Sequence, residues 1–338
     1  MKMPMTRRIA GLAVALLPLS LLAVTSPSGA ANRLNVNVVG YSVVSNAFTA
    51  LEKAFQATHD GNGITFTNSF GASTTQAEDV VAGQPADIVV FSDVPDLNLL
   101  VNSGLVAKNW ATSGAGSATN GFVTDSVVVI VTRAGNPLGI TGWNSLAKSG
   151  VQIVTPDPIS SGSARWNLLA AYESQIQQGK SASKATNFVN SLVANVVSEP
   201  SSGSRALSTF ESGTGNVLLA YESDALAAKA AGQAITIVDP AQNTLIQNPG
   251  ALTTTGSQSP AAVAFYDFLY SRAGQEIWVQ QNFRGTIPYV QSLKKSVFYQ
   301  PSRLATVGSL GGWGKVTDKF FSPTGIITKI ENAHGYTS

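Results

Sequence analysis

Cysteine is absent from all 338 residues, and histidine occurs only twice. The first absence rules out a disulfide framework and a lipidated cysteine anchor, so stability must come from a packed core. The two together nearly exclude zinc and thiolate chemistry and leave a serine nucleophile without an obvious base. His59 and His334 stand in no metal-like spacing and read as surface residues. Charge is scarce as well: Asp, Glu, Lys and Arg make up 12% of the chain, with a formal net charge of +2. Nothing there supports a nucleic-acid surface or a polybasic membrane patch. Neither a G-x-S-x-G elbow nor a G-x-x-x-x-G-K-[ST] phosphate loop occurs, and no cofactor or metal is expected.

What little basicity exists is concentrated at the start. Lys2, Arg7 and Arg8 precede an apolar run over 9–24 and a small-residue stretch ending in Ser28, Gly29, Ala30. This reads as a secretory signal over 1–30, cleaved near Ala30. Cleavage would leave 18 basic against 19 acidic residues, a net charge of −1. No later stretch has the length and apolarity of a spanning helix. A protein free in the periplasm or medium is expected.

Beyond the signal, strand-like and helix-like segments alternate. Strands are expected over 34–40, 64–67, 86–91, 126–132, 151–154, 193–198, 217–221 and 235–238. Helices are expected between them, followed by two packing helices over 261–270 and 273–281 and a poorly patterned tail. The continuous apolar runs suit strands buried on both faces of a parallel sheet. The Gly/Ser/Ala-rich stretch over 112–121 is the best candidate for a crossing between domains. The expected fold class is therefore α/β, with two doubly wound α/β domains and a ligand cleft between them. Domain 1 is assigned to 31–118 and 226–287, domain 2 to 119–225, and 288–338 to a C-terminal wrap.

The chemistry is concentrated in turns of small residues that open helices. The principal one lies in TPDPISSGSARWNLLAAYESQIQQ, 155–178, where two prolines hold the chain extended before Ser160–Ser163 and an amphipathic helix. A helix N-terminus carries unpaired N–H groups and about half a positive charge, so serine and glycine there let an anion approach the backbone. One such turn would be read as an ordinary N-cap. Here the device repeats, at Gly71–Ser73 and at Ser201–Ser204. Ligands of open α/β sheets bind beyond the strand ends where these turns fall.

Asp87, Asp93, Asp157 and Glu222 lie near expected strand ends, and such carboxylates more often cap helices or hold turns than act as acid and base. What remains is a site of neutral donors. A tetrahedral dianion offers only acceptors, which backbone N–H groups, Ser hydroxyls and aromatic N–H or O–H groups can satisfy. About six such bonds at roughly 1.5–3 kcal/mol each give a gross roughly 9–18 kcal/mol. After the losses of freedom and desolvation, enough remains for a micromolar or tighter complex. A donor-only pocket would also reject a protonated anion, whose O–H would be buried unpaired.

The motif ISSGSARWNLLAAY resembles the signature of the periplasmic sulfate- and thiosulfate-binding proteins of ABC importers. SFGAST, the turn before Arg205, GNVLLAYESDA, GQEI and GGWGK follow in that family's order over nearly the whole mature chain. The resemblance implies a type II periplasmic-binding fold that closes on a dehydrated anion, no enzymatic activity, and a membrane permease as partner. The expected form is a monomer with no nucleic-acid partner. Carried over by position, Ser42 looks like a backbone donor and Ser73 like a hydroxyl donor. Ser161, Gly162 and Ser163 look like three successive backbone donors, and Ser204 like another. Tyr221 falls where the family has a tryptophan whose indole N–H faces the ligand. Because a phenol can also accept, this departure keeps molybdate, tungstate or phosphate open as alternatives. Arg165 and Arg205 are expected as supports behind the turns, with surface charge as the plainer reading. A secreted ester hydrolase using Asp93, Asp157 or Glu222 is the remaining alternative.

Overall fold

The computed structural model describes residues 34–294 and 296–336. The expected signal over 1–30 lies outside them. Among the described residues no helix is long and apolar enough to cross a membrane.

The first lobe begins with β1 (Asn35–Tyr41), a 3-10 turn (Ser42–Val44) and α1 (Ser45–Gln56), followed by β2 (Thr65–Gly71) and α2 (Ser73–Val81). β3 (Ile88–Val90), α3 (Val94–Asn102) and β4 (Phe122–Ser126) complete its N-terminal part. The second lobe holds β5 (Val128–Arg133), β6 (Ile153–Val154), α4 (Gly162–Gln177), α5 (Ala182–Val193) and β7 (Val196–Ser198). It continues through α6 (Gly203–Glu211), β8 (Val217–Tyr221), α7 (Glu222–Ala230), β9 (Ile235–Val238) and β10 (Gln242–Thr244). The chain then returns to the first lobe with β11 (Ile246–Leu252), α8 (Pro260–Tyr270) and α9 (Arg272–Gln280). The tail carries α10 (Pro288–Gln291), β12 (Arg303–Ala305), α11 (Trp313–Val316) and α12 (Ile326–Ala333).

Each lobe is built on a five-stranded sheet, ordered β2-β1-β3-β11-β4 in the first and β7-β6-β8-β5-β9 in the second. Both are mixed rather than parallel. β11 runs antiparallel to β3 and β4, and β5 antiparallel to β8 and β9. The apolar runs at β3 and β8 are fully buried as expected, but each has one antiparallel neighbour.

The crossing between lobes is not the Gly/Ser/Ala stretch. That stretch forms 3-10 turns held against α8, with Gly116 so close to the Tyr266 and Tyr270 hydroxyls that an added Cβ would lie 3.1 Å from them. The chain instead crosses at Val127, inside the strand expected over 126–132: Ser126 ends β4 in one sheet and Val128 begins β5 in the other. It crosses back between β10 and β11. The expected divisions at 118 and 225 would therefore put β4 and β9 opposite the sheets they pair with. The two crossing segments are tied together, since Asn243 Nδ2 donates to the Val128 carbonyl at 2.7 Å and Asn243 Oδ1 accepts from Val128 N–H at 3.3 Å. Alongside them Arg284 donates to both Glu222 carboxylate oxygens, at 2.7 and 2.9 Å.

Packing of the first lobe rests on the aromatic helices, as their spacing predicts. Phe48 meets Trp278 edge-on at 5.6 Å between centroids, and Phe55 meets Phe265 at 5.1 Å. Helix α4 differs from its expected amphipathic form, because almost every residue from Gly162 to Gln175 is buried. The tail accounts for this: Trp313 packs edge-on against Trp166 at 4.9 Å and Phe320 against Tyr172 at 4.8 Å. The tail is further fixed by β12 on β10 and by the Tyr336 hydroxyl donating to the Val196 carbonyl. Where α12 meets the end of β7, Glu331 lies beside Glu199. Burial first, and the negative neighbours second, raise Glu199 to about 9; burial also raises Glu331, to about 7.

Candidate functional site

Four strand ends deliver helical N-termini to one place between the lobes. The 3-10 turn at Ser42 follows β1, α2 follows β2, α4 follows the proline-bearing segment after β6, and α6 follows β7. The turns touch across the cleft. Ser204 N–H donates to Ser42 Oγ at 3.3 Å, and Thr74 N–H to the Ser160 carbonyl at 3.0 Å. A Cβ on Gly203 would lie 3.1 Å from Val43 Cγ2 and 3.3 Å from Ser163 Oγ.

The caps differ in a way that matters for an anion. At α6 the Ser202 hydroxyl accepts from Arg205 N–H, an ordinary cap. At α4 the Ser161 side chain makes no cap bond, and the first amide to fold back is that of Ala164, onto the Ser161 carbonyl. The N–H groups of Gly162 and Ser163 precede it at the open end, where an α-helix has no internal acceptor to offer. Helix α2 likewise lacks a side-chain cap. Ser73 Oγ accepts from Ser92 N–H at 2.9 Å, which leaves its own proton to donate elsewhere.

A groove of about 830 Å³ runs past Ser42, Ser202, Ser204 and Arg205. Ser73, Ser161, Ser163 and Tyr221 lie behind it, each 5% exposed or less. The sequence-derived residues thus fall together, Arg205 excepted, whose side chain stands at the exposed rim. Tyr221 ends β8 beside Tyr41, and its hydroxyl lies 2.6 Å from Ser92 Oγ. Burial raises its pKa, and hydrogen bonding with Ser92, Asn248 and Ser163 offsets part of that rise.

Arg165 is a support rather than a surface charge. From the fourth residue of α4 it reaches Asp96 at 2.8 Å, Asp93 at 3.1 Å and Thr74 Oγ1 at 2.9 Å, all in the other lobe, and also donates to the Pro158 carbonyl. Its charge is engaged by carboxylates, not turned toward the serines. Burial and the Asp96 charge push Asp93 up to about 7 against the pull of Arg165. The other carboxylates also hold structure: Asp93 caps α3, Asp157 accepts from Ile159 N–H and Ser160 Oγ, and Asp87 accepts from Asn37. His59 is exposed, and the exposed His334 contacts Asn190.

Sequence reasoning missed Ser92, Asp96 and Asn248. Ser92 stands just past the end of β3, where strand-end logic could have found it. Asn248 gave no signal, because β11 reads as a loop around Asn248, Pro249 and Gly250.

A model of bacterial extracellular solute-binding proteins matches residues 36–284. The chain is 31% identical over 317 residues to a sulfate-binding protein of Synechococcus elongatus, covering 91% of this chain and 90% of that one. It is 30% identical to a thiosulfate-binding protein of Pseudomonas aeruginosa, over 86% and 90% of the two chains. The solved structure of the sulfate-binding protein SubI from Mycobacterium tuberculosis superposes with a TM-score of 0.81 at 39% identity, covering 85% of this chain and 99% of that one.

Proposed function

Because the chain belongs to the bacterial extracellular solute-binding protein family, we propose that it captures sulfate or thiosulfate outside the cytoplasm and delivers it to the permease of an ABC importer. The observation that carries this reading is the meeting of four helical N-termini whose donors are serine hydroxyls and unpaired amides. Ser42, Gly162 and Ser163 offer N–H groups and Ser73 its hydroxyl; Ser204 N–H is held by Ser42 Oγ at 3.3 Å and would exchange that bond for one to the ion, while Ser161 N–H, expected as a backbone donor, is held by the Asp157 carbonyl at 2.9 Å and leaves only the hydroxyl that its helix does not use. Such a set suits an ion with acceptors only, and helix dipoles supply the favourable field without a cation in contact. The relatives named for sulfate and thiosulfate point to the same ligand class. The lobes meet across the turns, so closing would remove the ion from water, where each donor counts for more. Capture and release require no chemistry of the protein, in keeping with Asp93, Asp157 and Glu222, which are committed to a cap, a turn and an Arg partner. A monomer is the expected form.

The test is calorimetric titration of the mature protein with sulfate, thiosulfate, molybdate, tungstate and phosphate. Tight one-to-one binding of sulfate or thiosulfate, little changed between pH 6 and 8, is expected. Tight binding of phosphate or molybdate with neither sulfur oxyanion would overturn the reading.

A further inference from the structure

A second groove, of about 580 Å³, shares no lining residue with the groove past the serines. Three parts of the chain build it. Asp96 and Leu99 come from α3 in the first lobe, Ile159 and Arg165 from the second lobe, and Phe321 and Glu331 from the tail. The tail is fixed to the second lobe through Trp313 on Trp166 and through the Tyr336 hydroxyl on the Val196 carbonyl. The groove is therefore complete only while the lobes are together. Each lobe leaves a large apolar side chain open in it: Leu99 is 37% exposed and Ile159 48%. Apolar walls with a few polar groups, at this size, are the build of a small-molecule site.

Those polar groups are acceptors. Glu331 is 4% exposed, and among the described residues neither of its carboxylate oxygens has a hydrogen-bond partner. The same holds for Oδ2 of Asp96, a residue 1% exposed, and for Oε1 of Glu199, which lies beside Glu331. Arg165 is the one basic residue of the lining, and its charge is already spent. Its bonds go to Asp93, to the other oxygen of Asp96, to Thr74 Oγ1 and to the carbonyls of Pro158 and Ile159. A buried acceptor without a donor carries its full desolvation cost. When the acceptors are carboxylates, a donor that brings positive charge answers them best. The preference is the reverse of that in the cleft, where donors face an anion.

We propose that this groove is a second ligand site, for a small organic cation that carries an ammonium or guanidinium on an apolar body, and that the closed form binds it best. Leu99, Ile159 and Phe321 hold the body, and Glu331 and Asp96 receive the head. The site itself stands apart from the oxyanion reading of the cleft; its dependence on closure rests on that reading.

The test is titration of the mature protein with 2-phenylethylamine near pH 8, above the value of about 7 to which burial raises Glu331. 2-Phenylethanol and benzoate serve as the neutral and anionic analogues. Saturable one-to-one binding of the amine, at a Kd of about 1 mM or below, is expected, with neither analogue bound. Saturating sulfate should tighten the amine about fivefold or more, since both ligands favour the same form. Glu331→Gln should weaken the amine about 10-fold or more. If that variant fails to fold, Leu99→Lys decides: it places a like charge at a part-exposed position of the groove and should weaken the amine as much. No saturable binding to the wild type, equal binding of 2-phenylethanol, or wild-type affinity in the folded variant would overturn the site. Amine affinity unchanged by sulfate would overturn its dependence on closure. If the protein binds neither sulfate nor thiosulfate, the proposed function fails separately, and the amine titrations still decide the groove.

Discussion

Substituting Gly162 by alanine should separate closure from folding. An added Cβ would lie 2.8 Å from Asp93 Oδ2, 2.8 Å from Ser92 Cβ and 3.0 Å from Ser92 Oγ, and all three atoms belong to the opposite lobe. Two of these separations are shorter than non-bonded carbon tolerates. The neighbours cannot easily yield, because Asp93 is held by Arg165 and by Asp96 N–H, and Ser92 by its four hydrogen-bonded partners. Overpacking of this kind costs about 1–3 kcal/mol. The lobes can escape it only by remaining apart, so the whole cost falls on ligand affinity, a weakening of about 5- to 150-fold. The fold itself should not suffer. Gly162 is the first residue of α4 with ordinary helical backbone, where Gly→Ala restricts the unfolded chain and stabilises by about 0.4–1 kcal/mol. Calorimetry with sulfate and a thermal melt of the ligand-free protein measure the two effects. Affinity within twofold of wild type, or a lowered melting midpoint, would refute the reasoning.

Arg165→Ala removes a cross-lobe partner from two buried carboxylates and should weaken sulfate binding by about 2–5 kcal/mol; unchanged affinity would mean that the Arg165 contacts are irrelevant to closure. Ser73→Ala deletes a donor and orphans Ser92 N–H, so a loss of about 1–3 kcal/mol is expected in the same titration, and wild-type affinity would place the anion elsewhere. Stability should fall with rising pH between about 4.5 and 9. Glu199 and Glu331 keep their protons in the folded protein to about 9 and about 7, against an ordinary 4.5, so the native state binds more protons than the unfolded chain throughout that window. Thermal midpoints from pH 5 to 9.5 check this, Glu331→Gln should flatten the decline, and a midpoint that rises with pH would contradict it.

The turns that meet in the candidate site were legible because they are local signals. Ser/Gly turns before helices announce their own N-termini, and Arg165 could be placed as a support by its distance from one of them. The carboxylates were legible in the same way: Asp93 sits before a Val-Pro pair and caps the helix that follows. What escaped depends on partners distant in sequence. Nothing in the β-prone run over 126–132 says that the chain changes sheets at Val127, because the change is set by which strands lie alongside. β11 was hidden for a related reason. Its proline falls at the point where the register with β4 shifts, so the missing N–H is tolerated in a central strand that composition alone would reject. Asn248, which that strand carries into the interior, was lost with it.

The tail that backs α4 also sets an order of assembly. Trp166 and Tyr172 are buried by Trp313 and Phe320, 147 and 148 residues later in the chain. A polypeptide made from its N-terminus therefore presents α4 with an uncovered apolar back until its final segment is available. Such a long wait between partners favours slow completion of the second lobe. A chain cut short before Trp313 would retain every serine and amide of the candidate site yet lack the aromatic side chains that cover the back of the helix carrying them.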